Sequence, residues 1–345
     1  MPASAREAFH TRKAEVIVPS MSTRPILIAG AGAIGSVMGA MLRSAGHDVA
    51  ILGRENHLDA IARAGLRISG LFGDHVASGF ILASDPARLE GPFDLILLTV
   101  KAYDTAAIAD RIKHLLAPDG LVVSMQNGVG NLDVLVERFG RANVIGGRVM
   151  LGAEIRSPGA AHATVFGEPI AMGPSMLANR EHCARLFGRA REVAAMLTGA
   201  GLASEAVSDI APLLWMKLFY NAALNPLGAL LRLNYGALAA DPDLRAIMDE
   251  VIDEAFAVAV ALDVPVPFES AEAYRAVFYS KLVPATFNHR PTMLYDLEQR
   301  GRTDIMEMNG KVVELAGRLG LRADTNRFLT HLIRARERMW KKDAT

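Results

Sequence analysis

Only one cysteine, Cys183, occurs in 345 residues, so the chain can form neither an internal disulfide nor a thiolate metal cluster, as expected of a protein in a reducing cytoplasm. A charge excess is missing too. The 37 basic and 37 acidic side chains cancel, and no basic stripe is interleaved with aromatics, so neither nucleic acid nor an anionic membrane surface is an expected partner. The nine histidines are scattered without HExxH or HxH spacing, and no metal site is expected. Nor is there an uninterrupted membrane-length apolar run. The longest candidate, Leu213 to Leu231, is broken by Lys217, Asn221, Asn225 and Pro226. A lysine at mid-bilayer costs about 2.5–3.5 kcal/mol, so the segment reads as a buried helix of a soluble domain. Residues 1–20 lack the apolar core of a secretory signal, and Glu7 and Glu15 argue against a transit peptide. They read as a disordered leader or a start-site artefact ahead of Met21.

What is present is ample apolar content, 51% hydrophobic against 21% charged, enough for two well-packed domains. Up to about residue 155, apolar strand candidates at 25–30, 48–53, 93–100 and 120–125 alternate with helical patterns, the order of a parallel α/β sheet. Segments at 66–69, 76–82, 144–155 and 161–172 are expected to extend or edge that sheet. A helix over 179–199 and a strand over 202–207 follow. Beyond Ser208 the pattern turns wholly helical, at 209–232, 242–262, 269–282, 303–319 and 325–341. The expected architecture is therefore α/β: an N-terminal Rossmann-type doubly wound sheet over 21–208, then an all-helical domain over 209–345. The cleft between them is the default substrate site.

Gly30-Ala31-Gly32-Ala33-Ile34-Gly35 lies between the first strand and a helix-compatible stretch. In that context the glycines serve a tight turn, a close backbone approach to pyrophosphate, and helix-on-strand packing. The amides of Gly32, Ala33, Ile34 and Gly35 would meet the phosphates at the positive end of the helix dipole. A glycine turn without a ligand is the plainer alternative. At the end of the second strand an acidic residue would select a ribose 2′-hydroxyl and an arginine a 2′-phosphate. Arg54 and Glu55 compete there. Arg54 comes first after Gly53, which favours NADP over NAD, unless the two residues are merely a solvated charge pair.

Two further residues fall just past strand ends, where such sheets bind ligands. Lys101 follows Val100, and Asn127 lies in Gln126-Asn127-Gly128. The lysine can neutralise an anion and the asparagine can both donate and accept; an exposed loop lysine and an Asn-Gly turn are the structural alternatives. Lys217 stands out more, being set in Leu213-Leu-Trp-Met-Lys-Leu-Phe-Tyr-Asn with Asn221 and Asn225 on the same helical face. Burying an ammonium is costly unless it is paired or functional, and desolvation lowers its pKa toward values useful in proton transfer. A lysine snorkelling to solvent is the alternative.

Across residues 21–340 these motifs resemble the ketopantoate reductase (2-dehydropantoate 2-reductase) family. The matching stretches are the glycine motif, Thr99-Val-Lys101, Gln126-Asn127-Gly128, Leu214 to Leu227, Thr292-Met-Leu-Tyr-Asp296, Thr303-Asp304-Ile305 and Asn309-Gly310. The resemblance implies NADPH-dependent reduction of a 2-oxo acid, with Lys217 as general acid. It places Asn127, Asn221 and Asn225 around the substrate and nicotinamide, Lys101 at the cofactor and Arg54 at the 2′-phosphate. Thr292 takes the place of a serine that binds the substrate carboxylate. Asp304 stands where the family has a glutamate for the substrate hydroxyl, one methylene shorter, with Glu307 as a substitute carboxylate. The implied partner is a small 2-oxo acid, with a homodimer as one assembly. A paralogue acting on another 2-oxo or 3-hydroxy acid, or a non-enzymatic NADP-binding sensor, are the competing readings.

Overall fold

The structure, a computed structural model, describes residues 24–299 and 301–343; the leader expected over 1–20 lies outside the described residues. The strands are β1 (Ile26–Ala29), β2 (Val49–Leu52), β3 (Leu66–Gly70), β4 (His75–Ala77), β5 (Ile81–Ala83), β6 (Phe93–Leu98), β7 (Leu116–Ser124), β8 (Val144–Arg148), β9 (Leu151–Ser157), β10 (Ala160–Phe166), β11 (Ile170–Gly173) and β12 (Ser204–Ala206). The helices among and after them are α1 (Ala33–Ser44), α2 (Glu55–Ala64), α3 (Thr105–Ile112), α4 (Asn131–Phe139), α5 (Met176–Asn179) and α6 (Cys183–Gly199). From Ala211 the described chain is helical: α7 (Ala211–Leu231), α8 (Tyr235–Ala240), α9 (Pro242–Ala261), α10 (Ala271–Val277), α11 (Val283–Ala285), α12 (Thr292–Gln299), α13 (Asn309–Leu319) and α14 (Asp324–Asp343).

The main sheet runs β12-β11-β8-β7-β6-β1-β2-β5. β5, β2, β1, β6, β7 and β8 pair in parallel, and β11 joins β8 antiparallel. Its central strands are apolar throughout because both faces are covered. Ile28, Ile51, Leu95 and Val123 pack toward α1 and α6, while Leu27, Ile96 and Val122 pack toward α3 and α4. Strand order reverses between β1 and β6, so a crevice opens at their carboxyl ends.

One expectation fails. Residues 66–69, 75–77, 151–157 and 160–166 do not extend the main sheet but form a second one, ordered β4-β3-β10-β9. Gly159, at φ +75°, turns β9 back on β10, and the pair buries Ala161 and Ala163 with Leu66 and Ile68 over α1. The segments expected at 76–82, 144–155 and 161–172 each split between the two sheets.

The helical half is built around α7. Pro226 lies inside that helix and cannot donate to the Ala222 carbonyl. Asn309, fully buried at the start of α13, fills the gap: its Nδ2 donates to Ala222 O at 3.0 Å and to Asn326 Oδ1 at 3.0 Å. Asn326 in turn donates to Val251 O on α9 at 3.2 Å and to Glu254 at 2.7 Å, so one amide network ties α7, α9, α13 and α14. The helix expected over 303–319 begins only at Asn309. Residues Ile305–Glu307 form a 3-10 turn and Met308 has the non-helical angles φ −112°, ψ −100°. Among the described residues no helix is long and apolar enough to cross a membrane.

Candidate active site

The glycine motif occupies the turn from β1 into α1. At φ +125° Gly30 is in a region that side chains avoid, and a Cβ there would lie 2.6 Å from Val100 N. Gly35 lets the helix rest on the strand, since its Cβ would fall 2.0 Å from Gly30 O. Thr99 Oγ1 braces the turn by donating to Gly30 O at 2.7 Å. Gly32 differs: it is the N-cap of α1 and a Cβ on it would meet nothing within 4 Å. Open space therefore faces the first-turn amides of Gly32, Ala33, Ile34 and Gly35, which have no partners within the helix. This cradle fits a dinucleotide pyrophosphate. Arg54, exposed as the N-cap of α2 directly beyond β2, forms no ion pair among the described residues, so it is not half of a charge pair with Glu55.

Register places the other candidates at the same end of the sheet. Ala29 pairs with Leu98, Leu98 with Ser124, and Ser124 with Gly146. Gly30, Thr99, Met125 and Gly147 are thus level, and the residues just past them include Lys101, Asn127 and Val149. The Lys217 ammonium reaches this rim from α7, donating to Val149 O at 2.6 Å. Although the residue is only part-buried, its head group is enclosed instead of snorkelling out. Burial, and secondarily the charge of Arg148, bring Lys217 down to about 8. Asn221, one turn on, and the Asn127 side chain have no hydrogen-bond partner among the described residues, so their amides remain available. Asn225 is engaged within the fold. It is buried, accepts from Tyr235 Oη at 2.7 Å and places Nδ2 3.9 Å from Met308 Sδ, so the fold has taken up this third member of the face.

Asp304 and Lys101 are brought together. Neither is presented singly to the crevice: Lys101 Nζ donates to Asp296 Oδ2 and lies 3.4 Å from Asp304 Oδ2. Both carboxylates are buried, and Asp304 Oδ1 has no partner. Burial raises Asp304 above its ordinary value, Lys101 opposes that rise and Asp296 adds to it. Glu307, with Oε2 also buried and unpartnered, is pushed up to about 7 by burial and by Asp304. Its carbonyl touches the Asn127 loop, because a Cβ on Gly128 would come within 2.4 Å of Glu307 O. Thr292 is exposed at the first position of α12. Arg148 and Asp296 are not among the site residues the sequence points to. The spacing of Thr292 and Asp296, one helical turn apart, was the available signal for the latter.

Residues 26–175 match the family model described as Ketopantoate reductase PanE/ApbA, and residues 209–337 match that of its C-terminal part. The chain belongs to the ketopantoate reductase family. It is 36% identical over 320 residues to the 2-dehydropantoate 2-reductase of Aquifex aeolicus (strain VF5), covering 92% of this chain and 98% of the relative. Its identity to the Archaeoglobus fulgidus 2-dehydropantoate 2-reductase is 33% over 317 residues, 92% of this chain and 99% of the relative. A PanE/ApbA family ketopantoate reductase from Ralstonia eutropha JMP134 superposes with a TM-score of 0.79 at 32% identity, covering 92% of this chain and all of that one. D-mandelate dehydrogenase in a ternary structure with NADH and anilino(oxo)acetate gives 0.81 at 26% identity, with the same coverage. Family members are pyridine-nucleotide-dependent reductases.

Proposed function

We propose that this chain reduces 2-dehydropantoate to pantoate with NADPH, in the cytoplasm, as a step of pantothenate synthesis. The observation that carries this reading is the Lys217 ammonium, enclosed on the Val149 carbonyl at the carboxyl rim of the sheet and beside the available amides of Asn127 and Asn221. The curated relatives named 2-dehydropantoate 2-reductase, at 36% and 33% identity over nearly their whole length, support the substrate.

In this reading the division falls near residue 208, with a Rossmann-type domain over 21–208 and a helical substrate domain over 209–345. Gly30, Gly32, Ala33, Ile34 and Gly35 would hold the pyrophosphate, and Arg54 would pair with the 2′-phosphate, as an unpaired guanidinium at that strand end is suited to do. When bound, the nucleotide would supply the hydride for the substrate's carbonyl carbon. Lys217, as ammonium, stabilises the negative charge that develops on the carbonyl oxygen and gives that oxygen its proton, leaving a neutral amine. Its lowered proton affinity makes it a stronger acid than a solvated lysine. Asn127 and Asn221 orient the carbonyl, and Thr292 offers a hydroxyl to the carboxylate. A general acid so placed contributes about 10²–10⁴-fold.

A second reading, the same chemistry on another 2-oxo acid, is favoured by one observation: Asp304 is committed to Lys101 and not displayed to a substrate hydroxyl. Following NADPH oxidation by absorbance across a panel of 2-oxo acids with and without a terminal hydroxyl separates the two. A clear preference for 2-dehydropantoate supports the first reading, and equal or better rates with hydroxyl-free acids support the second. No oxidation with any of them would overturn both.

A further inference from the structure

Helix α14 is apolar on two faces. It packs on α7, α9 and α13 and buries Asn326, Leu329, Thr330 and Ile333 on its inner side. On its outer side Phe328, Leu332, Ala335 and Met339 fall within an arc of about 60° at 3.6 residues per turn, in a stripe about 16 Å long. Phe328 is 61% exposed, Leu332 39% and Met339 57%. A row of large apolar side chains rimmed by charge marks an interaction surface. We propose that the surface formed by α14 and the neighbouring outer face of α9 docks a second copy of this chain, in a two-fold dimer that sets stripe against stripe and the arginines of each copy on the acids of the other.

The two rims of the stripe carry opposite charge. Arg327, Arg334 and Arg338, all exposed, run along one side of it. Thr325 borders it on the side away from the arginines, and there α9 lies against α14: Thr325 Oγ1 donates to Glu250 Oε2 at 2.8 Å, and the Thr325 and Asn326 amides donate to Glu254 at 2.8 and 2.9 Å. Asp243, Glu250 and Asp253 form an exposed row on that helix. Arg327 is paired with Asp324, and Asp253 with Arg275. Arg334, Arg338, Asp243 and Glu250 form no ion pair among the described residues. Across the stripe the order is thus acid, apolar, base. A two-fold axis running along the stripe reverses that order in the partner, so each acidic rim meets a basic one and the apolar rows meet at the axis. A partner of one charge sign, an anionic bilayer included, would be attracted by one rim and repelled by the other. The surface is therefore complementary to its own image.

The test is sedimentation velocity on the full chain across the micromolar range, with two charge-reversed variants. One carries Asp243→Lys with Glu250→Lys, the other Arg334→Glu with Arg338→Glu. The wild-type chain should sediment at twice its 37.0 kDa. Each variant alone sets like charges on both rims, and its association should weaken by about tenfold or more. Mixed one to one, the variants should recover the dimer, because both rims of the mixed pair are then of opposite sign. That recovery requires both variants to be folded, so damage to the fold cannot imitate it. Leu332→Glu, in the middle of the stripe, should give a monomer with an unchanged melting temperature. A wild-type chain that stays monomeric overturns the proposal, whether or not it sediments with phosphatidylserine vesicles. So do variants that dimerise alone as the wild type does, which would place the interface on another face, and a mixture that fails to recover the dimer.

Discussion

Lys101 and Asp304 are 203 positions apart, yet Nζ and Oδ2 stand 3.4 Å from each other, with Asp296 as the second carboxylate on the same ammonium. Through this triad the loop after β6 is fastened to α12 and to the turn before α13. Lys101 is 27% exposed, whereas the two aspartates are almost fully enclosed, so the lysine is what makes their charges tolerable.

Lys101→Met should therefore destabilise the fold by about 3 kcal/mol at neutral pH in urea unfolding, the usual scale for stripping one partner from a buried pair. The pH dependence has a definite sign. Asp304 is already raised in the folded state, and losing Lys101 removes the influence that opposes the rise. The folded variant then holds its proton more tightly than the unfolded chain does, so its stability falls as pH rises above the ordinary carboxylate range. The deficit should be smaller at pH 5 than at pH 7.5. An equal or larger deficit at pH 5 would show that the triad's charges are not what matters.

Gly32 and Gly35 separate binding from folding. Gly32→Ala adds a Cβ in open space at an ordinary φ of −75°, so the melting temperature should hold while NADPH affinity drops by about tenfold or more through the crowded cradle. Gly35→Ala puts a Cβ 2.0 Å from Gly30 O and should lower the melting temperature sharply or prevent folding. Thermal melts with fluorescence titrations check both. Unaltered nucleotide affinity in Gly32→Ala would remove this turn from the binding site.

Arg54 should govern the choice of nucleotide. Arg54→Ala is expected to cut kcat/KM with NADPH by about 10–100-fold, the worth of one charge-assisted phosphate contact, and to leave the value with NADH nearly unchanged. Parallel losses with both nucleotides would place the 2′-phosphate elsewhere.

Much of this molecule is written locally in its sequence, and the exceptions have physical causes. The glycine turn is legible because its steric demands fall within six residues, and Lys217 is legible because one cation in an apolar helix needs a reason. The second sheet was not foreseen, since alternation marks a strand but not which sheet it joins. Asn225 shared the right helix face, but Tyr235 ten residues on had claimed its carbonyl. Asp304 was expected on a helix; Met308 breaks that helix, and its pairing with Lys101 spans a separation no periodicity can report. Arg148 lay in a glycine-rich strand, where nothing in the pattern distinguishes a buried cation from a surface one.

Lys217 as the proton donor is the central claim, and the pH profile of kcat/KM for 2-dehydropantoate reduction measures it directly. With Lys217 held down to about 8, the ammonium is present below that pH and lost above it. Wild-type kcat/KM should be level below about pH 8 and then fall about tenfold per unit, while Lys217→Ala should be at least about 10²-fold slower at pH 7, lack that limb and bind NADPH as before. A Lys217→Ala enzyme that keeps wild-type turnover, or shows the same fall above pH 8, would contradict it.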